Sequence, residues 1–117
     1  MQLFIDTTDN DQMMIALTGA KQTKLLVPVK RDQAEKLLPA IEKLLKQNKV
    51  KLKDLTKIVV QNGHGSFTAL RLGIATANAL AFALGISVED EQGRNISKEG
   101  LVLVEPVYDK PASVTVK

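Results

Sequence analysis

The chain has 117 residues, of which 44% are apolar and 25% charged, with a net charge of +3. That length suits one domain, and the absence of cysteine excludes disulfides, thiolate chemistry and cysteine zinc sites and fits a cytosolic protein. Aromatic residues make up only 3%, so the core has to be built from Leu, Ile, Val and Ala.

Leu3-Phe4-Ile5 reads as a buried strand ending at Asp6, and Thr7 to Asp11 as a polar turn. Met13 to Leu17 is a second strand closed by Thr18-Gly19, and Lys24 to Val29 a third with Pro28 near its end. Three short strands joined by tight turns predict an antiparallel meander. Neither a basic region nor an apolar stretch of the signal-peptide kind opens the chain. Arg31 to Gln47 then switches to helical period, with Ala34, Leu37, Leu38, Ile41, Leu44 and Leu45 on one side. Asp32 stands as N-cap. Pro39 inside the pattern predicts a kink or a late helix start.

Val50 to Leu55 reads as a short turn carrying Leu52 and Leu55 inward. Ile58-Val59-Val60 is the compact apolar type of strand buried on both faces. It runs into Asn62-Gly63-His64-Gly65 and a long helix from Ser66 to Leu84, with Gly85 as left-handed cap. Ile86 to Arg94 is polar with a turn at Glu91-Gln92-Gly93. Leu101 to Val104 reads as the last strand, stopped by Pro106, before a loosely held lysine-ended tail. The order β-β-β-α-β-α-β predicts a single α/β domain of the RNase-H-like class, with a mixed sheet and helices packed on it. A ferredoxin-like sandwich is the competing layout, but it does not normally begin with three strands.

The lysines Lys43, Lys46, Lys49, Lys51, Lys53 and Lys57 outnumber the nearby Glu42 and Asp54. Such a cluster can track a phosphate backbone, or it can be a solvated helix end. The second reading is favoured, because no aromatic or arginine is interleaved for base stacking. The glycine turn is similarly double. Gly63 and Gly65 could present N–H groups to a phosphate. Yet position 68 is Thr, not the third glycine of a dinucleotide fingerprint, and no Gly-Lys-Ser/Thr ending follows. A tight turn with Ser66 as N-cap is the favoured reading. Ser66 lacks the Gly-x-Ser-x-Gly setting of a nucleophile elbow. The one histidine, His64, is two residues away and poorly placed as its base, and it makes no metal site without several carboxylates nearby.

Asp6 ends the first strand, where RNase-H-like folds can hold Mg²⁺ or a phosphoryl group. Nuclease chemistry needs several converging carboxylates, and the later strands supply none, so Asp6 reads as a turn residue. The helix after Ser66 is the most informative element. Its only charge is Arg71, and Arg71, Thr76 and Asn78 interrupt what would otherwise approach a membrane-spanning run. Phe67, Leu70, Ile74, Ala77, Ala81 and Leu84 form one stripe. Ala69, Gly73 and Ala77 stand four apart and would allow close backbone approach. One sheet face cannot cover so apolar a helix, which predicts a partner helix lying alongside.

Three segments carry a resemblance to a known family. Leu3-Phe4-Ile5-Asp6-Thr7-Thr8, Ala34-Glu35-Lys36-Leu37-Leu38-Pro39-Ala40-Ile41, and the run from Gly63 to Ala77 follow one another as in TsaB (YeaZ) proteins. The Gly-x-Gly-Ser-Phe-Thr-x-Leu-Arg-x-Gly-x-x-Thr-Ala pattern is the specific part, and the similarity extends from residue 1 to about residue 86. The resemblance implies an actin-like, RNase-H-like fold without catalytic residues or cofactor, acting in the cytoplasm. It implies pairing with a TsaD-like catalytic subunit, joined by a TsaE-like ATPase. The complex transfers threonylcarbamoyl to the adenosine beside the tRNA anticodon (t6A), so contact with tRNA is indirect. Alone, such a protein pairs with itself. The implied contact lies on the two helices, at Leu37, Leu38 and Ile41 of the first, and at Phe67, Thr68, Leu70, Arg71, Gly73, Ile74, Ala77 and Asn78 of the second.

The family has a second half after the equivalent of Ile86, whereas here Leu103 to Pro111 resembles the family's extreme C-terminus. Residues 87–117 are therefore expected to be a shortened segment in place of that half. His64 stands where the family usually has proline, and Ala69 where it often has glycine. A small nucleotide-binding or hydrolysing domain of the actin-like ATPase type, using Asp6 and the glycine turn, is the alternative. A self-associating module with no role in tRNA modification is a third.

Overall fold

The structure is a computed structural model and describes residues 1–19, 22–63, 67–98 and 100–107. Its elements are β1 (Gln2–Asp6), β2 (Gln12–Thr18), β3 (Gln22–Pro28), α1 (Gln33–Gln47), β4 (Lys57–Val60), α2 (Phe67–Leu84), β5 (Ser87–Asp90), β6 (Ile96–Lys98) and β7 (Leu101–Leu103). The first five strands form one sheet in the order β3-β2-β1-β4-β5. The β1–β2 and β2–β3 pairs are antiparallel, while β1–β4 and β4–β5 are parallel. The mixed α/β sheet expected from the sequence is therefore present.

Two parallel connections, β3–α1–β4 and β4–α2–β5, step the same way across the sheet. Right-handed crossovers then place both helices on one face. In agreement, α1 packs on β2 and β3, α2 packs on β1, β4 and β5, and the helices touch each other. The core lies between. Leu3 and Ile5 of β1, Met13, Ile15 and Leu17 of β2, and Ile58 and Val60 of β4 face Leu37, Ile41 and Leu44 of α1 and Leu70, Ile74 and Ala81 of α2. Strand alternation sends Phe4, Ala16 and Val59 to the opposite face, where the register sets Phe4 beside both of the others.

Several local expectations are corrected or refined. The strand after α2 is Ser87–Asp90, and Leu101–Leu103 instead pairs with β6 in a separate two-stranded sheet. Leu52 is 44% exposed, while its neighbour Leu55 is buried. The 3₁₀ turn Leu52–Asp54 is held by Lys51 N–H donating to Asp54 Oδ2 at 2.9 Å, which leaves Leu52 on the outside. Asp32 is the N-cap of α1 as expected, but its side chain accepts no cap hydrogen bond, its Oδ1 accepting instead from Lys30 N–H at 2.7 Å. Pro39 lies inside α1, which starts before it and continues to Gln47.

Both helices end in Schellman geometry. In α2, Ile86 N–H donates to Ala81 O at 3.0 Å and Gly85 N–H to Phe82 O at 3.3 Å, with Gly85 at φ 67°. In α1 the left-handed position is Lys49 at φ 55°, with Val50 N–H donating to Leu45 O at 2.9 Å.

The segment after β7 is stitched back by two asparagines. Asn78 of α2 donates from Nδ2 to Val104 O at 3.0 Å and accepts from Val104 N–H at 2.9 Å. Asn62, just beyond β4, donates to Glu105 O at 2.7 Å and to Asp90 Oδ2 at 3.1 Å, and accepts from Val107 N–H at 2.8 Å. Asp90 is fully buried and accepts from Arg94 Nε at 2.7 Å and from the N–H groups of Gln92 and Arg94. Every buried polar atom of this network has a partner, as burial requires.

Candidate functional surface

A helix of period 3.6 with apolar residues on all sides does not declare which side meets the sheet. The structure decides it. Leu70, Gly73, Ile74, Ala77 and Ala81 are buried against the protein's own sheet, as are Leu37 and Ile41 of α1. These positions, expected at a partner contact, are buried in the protein's own core. Gly73 shows why most directly. A Cβ there would overlap Thr7 Oγ1, and that hydroxyl donates to Ala69 O at 2.6 Å. The close approach allowed by Gly73 is to β1's end, not to a second protein.

The outward side of α2 carries Thr68, Arg71, Ala75, Ala79 and Phe82, all exposed. They recur at spacings of three and four, the signature of one helical face. Phe82 is 72% exposed and Leu38 of α1 is 55% exposed. Asn78 is half-buried and engaged with Val104. Of the expected contact residues, Leu38, Thr68 and Arg71 thus lie on the surface, while Ala75, Ala79 and Phe82 join them without having been singled out. A 3.6-residue wheel drawn from the buried Gly73 would have found them. The side chain of Phe67 lies outside the described residues, as do His64, Gly65 and Ser66, so the glycine turn's cap falls there too.

Asp6 is committed locally. Its Oδ1 accepts from Thr8 N–H at 2.9 Å and from Thr8 Oγ1 at 2.6 Å, the Asx turn anticipated for a strand-end aspartate. Among the described residues no group of three or more His, Cys, Asp or Glu could hold a metal ion. Nor, among them, is any helix long and apolar enough to cross a membrane. The lysines at 43, 46, 49, 51 and 53 are exposed on the end of α1 and the turn beyond it. Lys57 pairs with Glu89 of β5 at 3.1 Å.

A cleft of about 840 Å³ opens where the two helices begin. It is lined by Asn10 and Asp11 of the β1–β2 turn, Val29, Lys30 and Arg31 after β3, Gln33 and Ala34 of α1, and Thr68, Ala69 and Leu72 of α2. Arg31 has φ 64°, a left-handed backbone unusual for its type. No sequence motif announces this cleft, because three distant segments contribute to it.

Comparison with known proteins agrees with this architecture. Residues 26–89 match the family model described as TsaD, tRNA N6-adenosine threonylcarbamoyltransferase. The chain is 37% identical over 87 residues to the tRNA threonylcarbamoyladenosine biosynthesis protein TsaB of Bacillus subtilis, covering 69% of this chain and 37% of that protein. It is 37% identical over 59 residues to the protein of the same name from Buchnera aphidicola, covering 50% of this chain and 28% of that one. Among solved structures, YeaZ from Pseudomonas aeruginosa superposes with a TM-score of 0.71 at 30% identity, over 76% of this chain and 42% of that one. The chain therefore spans less than half the length of these relatives. With the order of its strands, its two helices and these matches together, the chain belongs to the TsaB (YeaZ) family, on the fold it shares with TsaD.

Proposed function

We propose that the chain is a non-catalytic scaffold subunit in t6A formation, pairing through the outward faces of α1 and α2 with a TsaD-like catalytic subunit. A TsaE-like ATPase joins through the complex, tRNA contact is indirect, and the free chain pairs with itself. The observation that carries this reading is the outward face of α2. Ala75, Ala79 and the 72% exposed Phe82 offer small and apolar surface to solvent, and Leu38 of α1 is likewise exposed. Small residues let a second helix come close, and Phe82 supplies an anchor of the kind that dominates interface energetics.

The experiment is co-purification with the TsaD-like protein of the same organism, followed by tRNA modification with the other subunits in the presence and absence of this chain. Ala75→Arg and Phe82→Ser should abolish pairing and modification while leaving the unfolding temperature within a few degrees. Pairing that survives both substitutions overturns the reading. Ile74→Glu is not a useful probe, since it places a charge in the core.

A further inference from the structure

Of the two edges of the main sheet, one is filled by the chain itself. At β5, Asp90 N–H donates to Arg94 O at 3.0 Å and Val88 O accepts from Asn95 Nδ2 at 2.8 Å. Among the described residues no strand pairs with the outer side of β3. We propose that this side joins two copies of the chain, β3 against β3 and antiparallel, about a two-fold axis at Leu26. The backbone phase follows from Val29, whose N–H donates to Asp11 O at 2.9 Å across the β2–β3 ladder. Antiparallel pairs alternate between bonded and non-bonded residues. Val27, Leu25 and Thr23 therefore turn their backbone groups toward β2, whereas Leu26, Lys24 and Gln22 turn theirs outward. Pro28 falls in the outward set, where its missing N–H takes nothing from the β2 ladder, the usual place of proline in an edge strand. In the proposed register, Leu26 N–H of each copy donates to Leu26 O of the other, and Lys24 N–H to Pro28 O of the other.

The side chains select both the register and the occupant. Leu25 and Val27 pack against the core, and with Pro39 and Ala40 they line a groove of about 310 Å³ between β3 and α1, flanked by Glu35 and Lys43. Lys36 Nζ donates to Pro28 O at 3.2 Å, which sets that turn of α1 level with the end of β3. Leu26 lies two residues back, about 7 Å along the strand or about four to five residues of helix. Pro39 and Ala40 are therefore level with the axis, with Glu35 to one side of it and Lys43 to the other. The two-fold sets Glu35 of each copy against Lys43 of the other, so the charges of the two antiparallel helices match. A register centred on Leu25 would instead bring the two Lys43 side chains together. Lys36 is already held by Asp32 at 3.1 Å. On the opposite face of the sheet Leu26, 49% exposed, covers its own counterpart. Lys24 there faces Pro28 of the other copy, so no like charges stand opposed. An unrelated extended peptide could use the backbone groups, but a second copy also supplies the matched carboxylate and ammonium.

Sedimentation equilibrium of the full chain carrying Ala75→Arg and Phe82→Ser, which remove the pairing proposed above, tests this contact by itself, so either reading can fail without the other. A dimer is expected with a dissociation constant of roughly 10–100 µM, since edge pairing buries little surface. Leu26→Lys sets two lysines face to face at the axis and should weaken it at least tenfold, with the unfolding temperature unchanged. Glu35→Lys and Lys43→Glu should each weaken it about fivefold, and the two together should restore it to within about twofold. Hydrogen exchange at the Lys24 and Leu26 amides should slow as the concentration rises through the dissociation constant, while the Leu25 amide, turned toward β2, stays as it was. A chain that remains monomeric at about ten times the upper end of that range overturns the proposal and leaves the edge to a different protein. A dimer indifferent to Leu26→Lys, or a charge exchange that does not restore pairing, overturns it as well. So does slow exchange of Lys24 and Leu26 in the dilute monomer, which would assign this edge to residues of the same chain.

Discussion

At Gly73 an added methyl group would meet the hydroxyl of Thr7, a buried side chain already tied to Ala69. Alanine is better than glycine in a helix by about 1 kcal/mol, so propensity alone favours Gly73→Ala. The overlap should win, because overpacking costs about 1–3 kcal/mol where the neighbour cannot move. Gly73→Ala is expected to lower stability in chemical denaturation, and Thr7→Ala in the same chain to recover part of the loss. Asp90 offers a test by pH. Burial by itself would raise its carboxyl, but the N–H and guanidinium of Arg94, the Gln92 N–H and the Asn62 amide outweigh that and hold it below its ordinary 3.8. On acidification the unfolded chain therefore takes up this proton first. The stabilisation is complete above that ordinary value and is lost as pH falls through it toward the folded one. Asp90→Asn should cost about 2–3 kcal/mol at pH 7 and flatten the decline of the unfolding temperature below pH 4.

At the scale of the element, the two helix ends differ in one residue type. Both use a left-handed position, filled by Gly85 in α2 and by Lys49 in α1. A side chain in that conformation costs about 1 kcal/mol, so Lys49→Gly should stabilise α1 by up to about 1 kcal/mol, read from the urea midpoint. The elements also show what could be read in advance. β1 and α1 declare themselves because alternation or helical period accompanies burial on one side, and β2 and β4 because each holds a compact apolar run. β5 does not, because Ser87-Val88-Glu89-Asp90 holds one apolar residue and buries a carboxylate that Arg94, Gln92 and Asn62 make tolerable. The existence of α2 was plain, but its orientation was not: with apolar side chains all around, the stripe through Leu70 and Ile74 and the stripe through Ala75 and Ala79 look alike. Thr7 beneath Gly73 breaks the tie, and that contact spans more than sixty residues of sequence. The cleft at the helix starts was illegible for the same reason, since Asn10, Gln33 and Thr68 meet only in the fold.

For the molecule as a whole, the hairpin of β6 and β7 depends on a few polar contacts more than on the core. Asn62→Ala would remove three side-chain hydrogen bonds at once and leave Asp90 and the Val107 N–H short of partners. Limited proteolysis should then cut between Arg94 and Lys98 faster, at denaturant concentrations where the main sheet is intact. The sheet order has a different consequence, for synthesis. β1 is the first strand made, yet it lies in the middle, and the strand that covers its second edge is β4. On the ribosome the β1–β2–β3 meander can close by itself, but Gln2 to Ile5 keep a bare edge until β4 emerges roughly fifty residues later, which is several seconds at ordinary elongation speed. An unpaired edge of this kind recruits other chains. Nascent chains stalled within α1 should accordingly depend on chaperones and precipitate when released, whereas those extended past β4 should stay in solution.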